Sequence, residues 1–484
     1  MNCGDSGEAA TGDIPRICRI PPAPVTLTEK HIVLLIAILA GFLTPFDASA
    51  VNIALPTIGT EFHMDAIALS WVATAYLLAT AVFLVPFGKI ADIHGRKKIF
   101  LYGLGIFTVA SFIMTFVRSS GMLVGVRVIQ GIGCSMIFGT AVAILTSVYP
   151  PGERGRALGI YITAVYFGLS LGPFLGGILT ENFGWRSIFY INVPIGIIAI
   201  TLVFWKLKGE WAECRGEQFD VAGSVIYGII LVAMMLGFSE LPSITGVALL
   251  VAGMILLLVF IRFERARPYP VLNVRLFSES RVFAWSNIAA LINYSATYAV
   301  AFLLSLYLQF TKGFSPEYAG IILVSAPFSQ ALVSPFAGRL SDRVDPGIIA
   351  SVGMGFTALG LFLLVFLGEG TSLYFIIIAL IILGIGFGLF SSPNTNAIMS
   401  AVDKRFYGVA SGIIGTMRLL GQMLSMGIAM MIFAILIGRV EITPGLYPLF
   451  VESMHYAFIF FTVLCIIGIY ASLQRGKQKA PLQT

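Results

Sequence analysis

Charge is what this 484-residue chain has least of: Asp, Glu, Lys and Arg together make up 11% of it, against 58% hydrophobic residues. So little charge cannot solvate a globular surface, which excludes a water-soluble fold, and the length exceeds one simple bundle. The four His (His31, His63, His94, His455) are scattered over tails, loops and helix ends and build no metal or catalytic site. The five Cys (Cys3, Cys18, Cys134, Cys214, Cys465) lack metal or redox spacing, and none falls in an expected outer loop where a disulfide forms. Titratable groups are too few and too dispersed for an enzyme, and no cofactor is expected beyond a proton as coupling ion.

What the chain has instead is apolar runs. Fourteen of them, near 31–57, 68–88, 99–117, 121–147, 157–180, 188–205, 220–239, 244–262, 282–309, 317–337, 348–367, 372–397, 407–436 and 454–473, approach the length that crosses a bilayer, about 20 residues each. The expectation is an all-α membrane protein with 14 transmembrane helices and both termini on one side. If that side is the cytoplasm, four of the 30 Lys and Arg lie outside (Arg118, Arg186, Lys312, Arg439), two lie within spans (Arg127, Arg418) and 24 lie inside. Such a bias meets the positive-inside rule and points to the cell membrane. The net charge of +6 then reflects anchoring to the inner leaflet, and no basic face is left for nucleic acid.

The charged stretches divide the chain. Residues 1–30 form a polar cytoplasmic tail with no cleavable apolar region, so the first span acts as its own insertion signal. Residues 31–205 make a six-helix bundle, 206–281 a linker with two extra spans, 282–473 a second six-helix bundle and 474–484 a short cytoplasmic tail. The two extra spans hold no ionisable residue in their cores, which suits helices that face lipid or seal a gap between the bundles. A single chain is expected to suffice, as a monomer.

One sequence occurs twice. Gly88-Lys89-Ile90-Ala91-Asp92-Ile93-His94-Gly95-Arg96-Lys97-Lys98 returns as Gly338-Arg339-Leu340-Ser341-Asp342-Arg343, each copy between two apolar runs. In such a gating loop Gly88, Gly95 and Gly338 permit close backbone approach, and Asp92 can face the positive N-terminal end of another helix, a contact that breaks and reforms. The alternative is that Arg96, Lys97 and Lys98 only enforce topology and Asp92 only caps a turn. The first copy resembles the signature of the major facilitator superfamily, Gly-x-Leu-Ala-Asp-Arg-x-Gly-Arg-(Arg/Lys). Ile93 stands where Arg is usual, and Asp345 stands where the second copy's Gly is expected.

Asp47 is the only carboxylate deep in any expected span. It lies about 24 Å above the inner end of the first span, which leaves it about 6 Å below the outer surface of a core about 30 Å thick. Arg127, in the fourth span, lies about 9 Å down from the outer end, a similar depth. An intramembrane acid costs about 2.5–3.5 kcal/mol on insertion scales and normally implies function. Desolvation favours its neutral form and a nearby Arg its anion, so a motion that changes their distance or water access moves a proton. The alternative is a fixed ion pair that only locks two helices together.

Asp47-Ala48-Ser49-Ala50-Val51-Asn52-Ile53-Ala54-Leu55-Pro56 resembles the first-helix motif of the superfamily's fourteen-helix drug/proton antiporter branch. Trp185–Gly196 and the run Gly408, Gly412, Gly415-Thr416, Arg418, Gly421 are similar to that branch as well. In the fifth span Gly159, Gly168, Gly172-Pro173 and Gly176-Gly177 match the superfamily's antiporter motif at every fixed position. Small residues there let helices approach closely, and Pro173 removes a backbone donor and bends the helix. The resemblance implies two six-helix bundles that rock about a central cavity, and export rather than uptake.

Cavity walls are expected from Tyr76, Gln130, Phe167, Asn293, Tyr294, Phe328 and Asn394, unless their polar groups serve helix packing. Arg418, near the midplane, either counters an anionic group or ties helices through carbonyls. The expected function is a multidrug efflux transporter, an antiporter drawing on the proton motive force to confer drug resistance by exporting amphipathic, often cationic compounds. Other readings are an exporter or symporter dedicated to one solute (siderophore, amino acid, lipid or metabolite) and, remotely, a receptor, scaffold or lipid-modifying enzyme.

Overall fold

Fourteen helices are long and apolar enough to cross a membrane among the residues that the computed structural model describes, 27–475 apart from 208, 213–215, 268–269, 273–275, 342 and 403–406. The N-terminal half holds α1 (Leu27–Phe62), α2 (Ala66–His94), α3 (Arg96–Met114), α4 (Ser120–Val148), α5 (Pro151–Phe183) and α6 (Arg186–Lys206). The extra pair is α7 (Val221–Glu240) and α8 (Ile244–Ala266). The C-terminal half holds α9 (Arg281–Thr311), α10 (Pro316–Leu340), α11 (Pro346–Leu364), α12 (Leu373–Ser400), α13 (Tyr407–Leu436) and α14 (Tyr447–Leu473). Polar residues set the starts: Asp65, Ser119 and Asp345 each accept a backbone N–H of the first turn they precede. Helix α1 begins at Leu27, so residues 27–30 are helical rather than tail, and it ends where His63 turns to φ +49.

The halves repeat each other. In the first, α5 and α6 pack on α1, α2 and α3 on α4, and α3 on α6; in the second, α13 and α14 pack on α9, α10 and α11 on α12, and α11 on α14. The contacts between halves follow the same exchange, α5 against α10 and α13 against α2. Helix α7 packs on both α2 and α13, closing the gap between halves, while α8 rests on α7 and turns the rest of its surface outward.

We call the end of the bundle with the starts of α1 and α5 the basic end, because Lys89, Arg96, Lys97, Arg339 and Arg343 gather there, and the other the sparse end. At the sparse end the halves are joined. Ser305 Oγ donates to the Asn52 carbonyl at 2.7 Å, Gln309 Nε2 to the Ile53 carbonyl at 2.8 Å and the Ala66 N–H to the Val440 carbonyl at 3.3 Å. A Cβ at Gly177 would press on the backbone of Pro316 at 2.5 Å, and one at Gly320 would run into the Pro173 carbonyl. The last hydrogen bond between halves toward the basic end, among the described residues, joins Tyr166 and Ser391 hydroxyls at 2.7 Å. Beyond it Gly88, Gly159 and Gly412 face open space.

The first copy of the repeated motif is helical, not a loop. Helix α2 runs through it to His94, and Gly95 alone breaks the chain, at φ +121, before α3 starts at Arg96. Gly338 likewise lies inside α10. A side chain at Gly95 meets both a backbone conformation that L-residues avoid and Glu210 Oε1 at 2.5 Å. Gly95→Ala is therefore expected to cost about 1–3 kcal/mol, read as a lower melting temperature in detergent. Gly105→Ala, in open space on α3, is expected to leave the melting temperature unchanged or slightly raised.

Candidate functional site

Asp47 projects from α1 into the interior of the N-terminal half, where it and Arg127 are fully buried. Arg127 Nη1 donates to Asp47 Oδ2 at 2.6 Å. The other carboxylate oxygen accepts from Gln130 Nε2 at 3.1 Å and from Asn192 Nδ2 at 2.8 Å. Gln130 Nε2 also donates to Ser111 Oγ at 2.9 Å, and its Oε1 accepts from Arg127 Nη1 at 2.7 Å. Arg127 Nε reaches the Val72 carbonyl at 3.0 Å, and its guanidinium lies 4.3 Å from the centre of the Tyr76 ring. One carboxylate thus gathers groups from α1, α2, α3, α4 and α6. Three donors on its two oxygens satisfy the anion, which is how a charge is held so deep.

The depth arithmetic for Asp47 and Arg127 agrees with this geometry, and two cavity expectations need correction. Tyr76 and Gln130 belong to the sealed polar cluster: each has 3% or less of its surface exposed, and the Tyr76 hydroxyl meets Cys134 Sγ at 2.9 Å. Asn192 and Ser111 were missed as partners. Asn192 lies six residues into α6 from Arg186, about 9 Å down, the depth of Arg127; that coincidence was the signal available for it. Nor is Asp47 the only buried carboxylate, because α8 continues to Ala266 and buries Glu264 near the basic end, where it accepts from the Leu272 N–H at 3.1 Å.

The remaining cavity candidates divide. Phe167 and Phe328 are more than half exposed, with Phe167 against Phe42 at 6.1 Å between ring centres. Tyr294 stands edge-on to Phe387 at 5.4 Å and lies under Arg418, 5.9 Å from its guanidinium. Asn293 and Asn394 are buried; Asn293 has neither side-chain polar atom paired, and Asn394 has its Oδ1 unpaired.

In the gating motif Asp92 accepts from Arg96 Nε at 2.8 Å, and Arg96 reaches Ser147 Oγ of α4 at 2.7 Å. No helix N-terminus meets Asp92 among the described residues. The stretch after α6 clasps the motif instead: Lys89 pairs with Glu217 at 2.6 Å, and the Lys97 N–H donates to Glu210 at 2.8 Å. In the second copy Asp342 lies outside the described residues, Arg343 lies in the turn that follows α10 and donates its N–H to the Leu340 carbonyl, and a Cβ at Gly338 would meet Ser392 Oγ at 2.8 Å. Nearby Arg475 is buried; burial pushes its guanidinium down to about 10, against the opposing pull of Asp345.

The glycines of α5 are packing surfaces on two sides. Gly168, Gly172 and Gly176 sit against Phe42, Ser49 and Ala50 of α1, while Pro173 and Gly177 meet α10 of the other half. Gly159 lies past the last of these contacts.

Comparison with known proteins agrees with this architecture. A family model described as Major Facilitator Superfamily matches residues 37–426 and 288–483. The chain is 33% identical over 395 residues to the riboflavin transporter RibZ of Clostridioides difficile (strain 630), covering 81% of this chain and 86% of that one. It is 30% identical over 388 residues to the multidrug resistance protein Stp of Mycobacterium tuberculosis (79% and 72% covered). It is 33% identical over 402 residues to the cephamycin export protein CmcT of Amycolatopsis lactamdurans (80% and 82% covered). A solved bacterial homologue of the human lysosomal transporter Spinster, inward-facing and unoccupied, superposes with a TM-score of 0.67 at 18% identity over 94% of this chain and 100% of that one. With two six-helix repeats joined through α5 and α10, and with drug exporters among its relatives, this chain belongs to the Major Facilitator Superfamily and is a transporter, not an enzyme.

Proposed function

We propose that the protein is a proton-coupled antiporter of the cell membrane that exports small amphipathic molecules, working as a monomer with both termini in the cytoplasm. The observation that carries the reading is the Asp47 cluster: a lone deep acid whose paired form ties five helices of one half together. The basic end is then cytoplasmic, and the closed sparse end faces outward. In this state the site accepts substrate from the cytoplasm or the inner leaflet while Asp47 stays ionised against Arg127.

When the halves rock and the sparse end opens, water reaches the cluster and a proton neutralises Asp47. The ion pair, the Asn192 bond and the Gln130 bond all weaken together, so protonation loosens α1, α4 and α6 and favours the return stroke. Proton and substrate are coupled only so far as each binds the two states differently. With a single deep acid the expected stoichiometry is low, and dications are expected to be poor substrates. The gating motif at Gly88, Asp92, Gly95 and Arg96, with its second copy at Gly338, Asp342 and Arg343, closes the cytoplasmic end in the alternate state.

Inverted vesicles loaded with a pH-sensitive dye test this. A panel of chemically diverse dyes added to energised vesicles is expected to dissipate the proton gradient, and Asp47→Asn is expected to abolish that response. Unchanged coupling in Asp47→Asn contradicts the proposal. The similarity to a riboflavin transporter favours a second reading, an exporter dedicated to one solute. A response to one compound alone, without competition from hydrophobic cations, supports that reading instead.

A further inference from the structure

The spans hold two deep cations, and the structure treats them differently. Arg127 is sealed, matched by a carboxylate and bonded to a carbonyl. Arg418 lies on α13, 11 residues from Tyr407, about 17 Å from the basic end and near the midplane. It is half-buried, and no ion pair or hydrogen bond holds it among the described residues. A guanidinium that merely tied helices would be bonded to backbone carbonyls, as Arg127 is. Because Asp47 is already neutralised by Arg127, the centre of the molecule is left with one unmatched positive charge.

An aromatic ring stands beside it. Tyr294 lies 5.9 Å from the guanidinium and is braced edge-on by Phe387 at 5.4 Å. Beside Tyr294, the Tyr166–Ser391 hydrogen bond is the last one between the halves toward the basic end. A half-buried cation without a counter-charge, beside a braced ring face near the junction of two moving halves, forms a recognition site of definite chemistry. A cationic ligand there is repelled by Arg418 with no carboxylate to offset it, whereas an anion gains a charge-assisted bond.

We propose that Arg418, with Tyr294, is the recognition site for an anionic group carried on a planar aromatic substrate, so that the protein selects aromatic anions over aromatic cations of the same shape. The inference rests on the exporter reading and narrows its substrate class, away from cations. It also assigns Arg418 as a specificity-determining group.

Two xanthene dyes of opposite charge test it: carboxyfluorescein, whose carboxylates are ionised at neutral pH, and rhodamine 6G, a cation. Binding is measured by fluorescence polarisation on the purified full-length chain in detergent. The wild type is expected to bind carboxyfluorescein at least about tenfold more tightly than rhodamine 6G, a modest reading of Coulomb attraction at a half-buried site. Arg418→Gln is expected to erase that preference by weakening the anion alone, and Arg418→Lys to keep it. Equal or tighter binding of rhodamine 6G, no binding of carboxyfluorescein, or an equal loss for both dyes in Arg418→Gln overturns the proposal. Because the readout needs no gradient, its outcome is separable from proton coupling: a chain that selects the anion but moves no protons refutes the antiporter reading and leaves this one standing.

Discussion

Asp47→Leu is expected to destabilise the N-terminal half by about 3–5 kcal/mol, the usual cost of stranding one member of a buried ion pair. The stranded group is Arg127, 1% exposed, left with the Val72 carbonyl, Gln130 and the Tyr76 ring but no counter-charge. Asn192 loses its acceptor at the same time, and its other side-chain atom is already unpaired. Removing both charges, in Asp47→Leu with Arg127→Met, is expected to restore most of the lost melting temperature, because apolar replacement of a whole buried pair is often neutral or stabilising. If the single variant melts like the wild type, the pair does not hold these helices together, and the coupling mechanism loses its lever.

Gly320→Leu is expected to unlatch the sparse end. Gly320 lies directly against the Pro173 carbonyl, and the Gly177 Cα is 3.5 Å from where its Cβ would stand, so the side chain meets the backbone of α5, which cannot swing away. Overpacking of this kind typically costs about 1–3 kcal/mol. The halves can escape the cost by separating there, which biases the protein toward its other state, and about 1.4 kcal/mol of bias is a tenfold change in population. Ser305, fully buried where it bonds to Asn52, reports the opening. In a cysteine-free background, Ser305→Cys is expected to react about tenfold faster with an impermeant maleimide when Gly320→Leu is present. Unchanged labelling would mean that the α5–α10 seam is not a latch.

The fold was legible because a bilayer leaves few options: apolar runs of spanning length, interrupted by basic stretches, mark helices and their order. The repeat at Gly88 and Gly338 was equally plain. Its form was not, since nothing in a Gly-rich charged run reveals that α2 stays helical to His94 and that one residue at positive φ makes the whole break. Asp47 and Arg127 could be paired from depth alone, because charges in a span are rare and each must find a partner. Asn192 and Ser111 carry no charge to mark them, and the rotation of α6 and α3 that aims them at Asp47 is fixed by packing rather than by spacing. Packing likewise aims Tyr76 of α2 and Gln130 of α4 into the buried cluster and leaves Tyr294 of α9 beside Arg418.

A direct test of Asp47 as the proton carrier is to count protons. Purified protein in weakly buffered detergent, with a pH dye in the bulk, is mixed with saturating transported substrate. At a pH low enough that Asp47 is protonated before substrate arrives, the wild type is expected to release close to one proton per chain as substrate selects the ionised form, and Asp47→Asn to release none while still binding the substrate. Undiminished proton release from Asp47→Asn would place the coupling elsewhere and leave the buried cluster as a structural clasp.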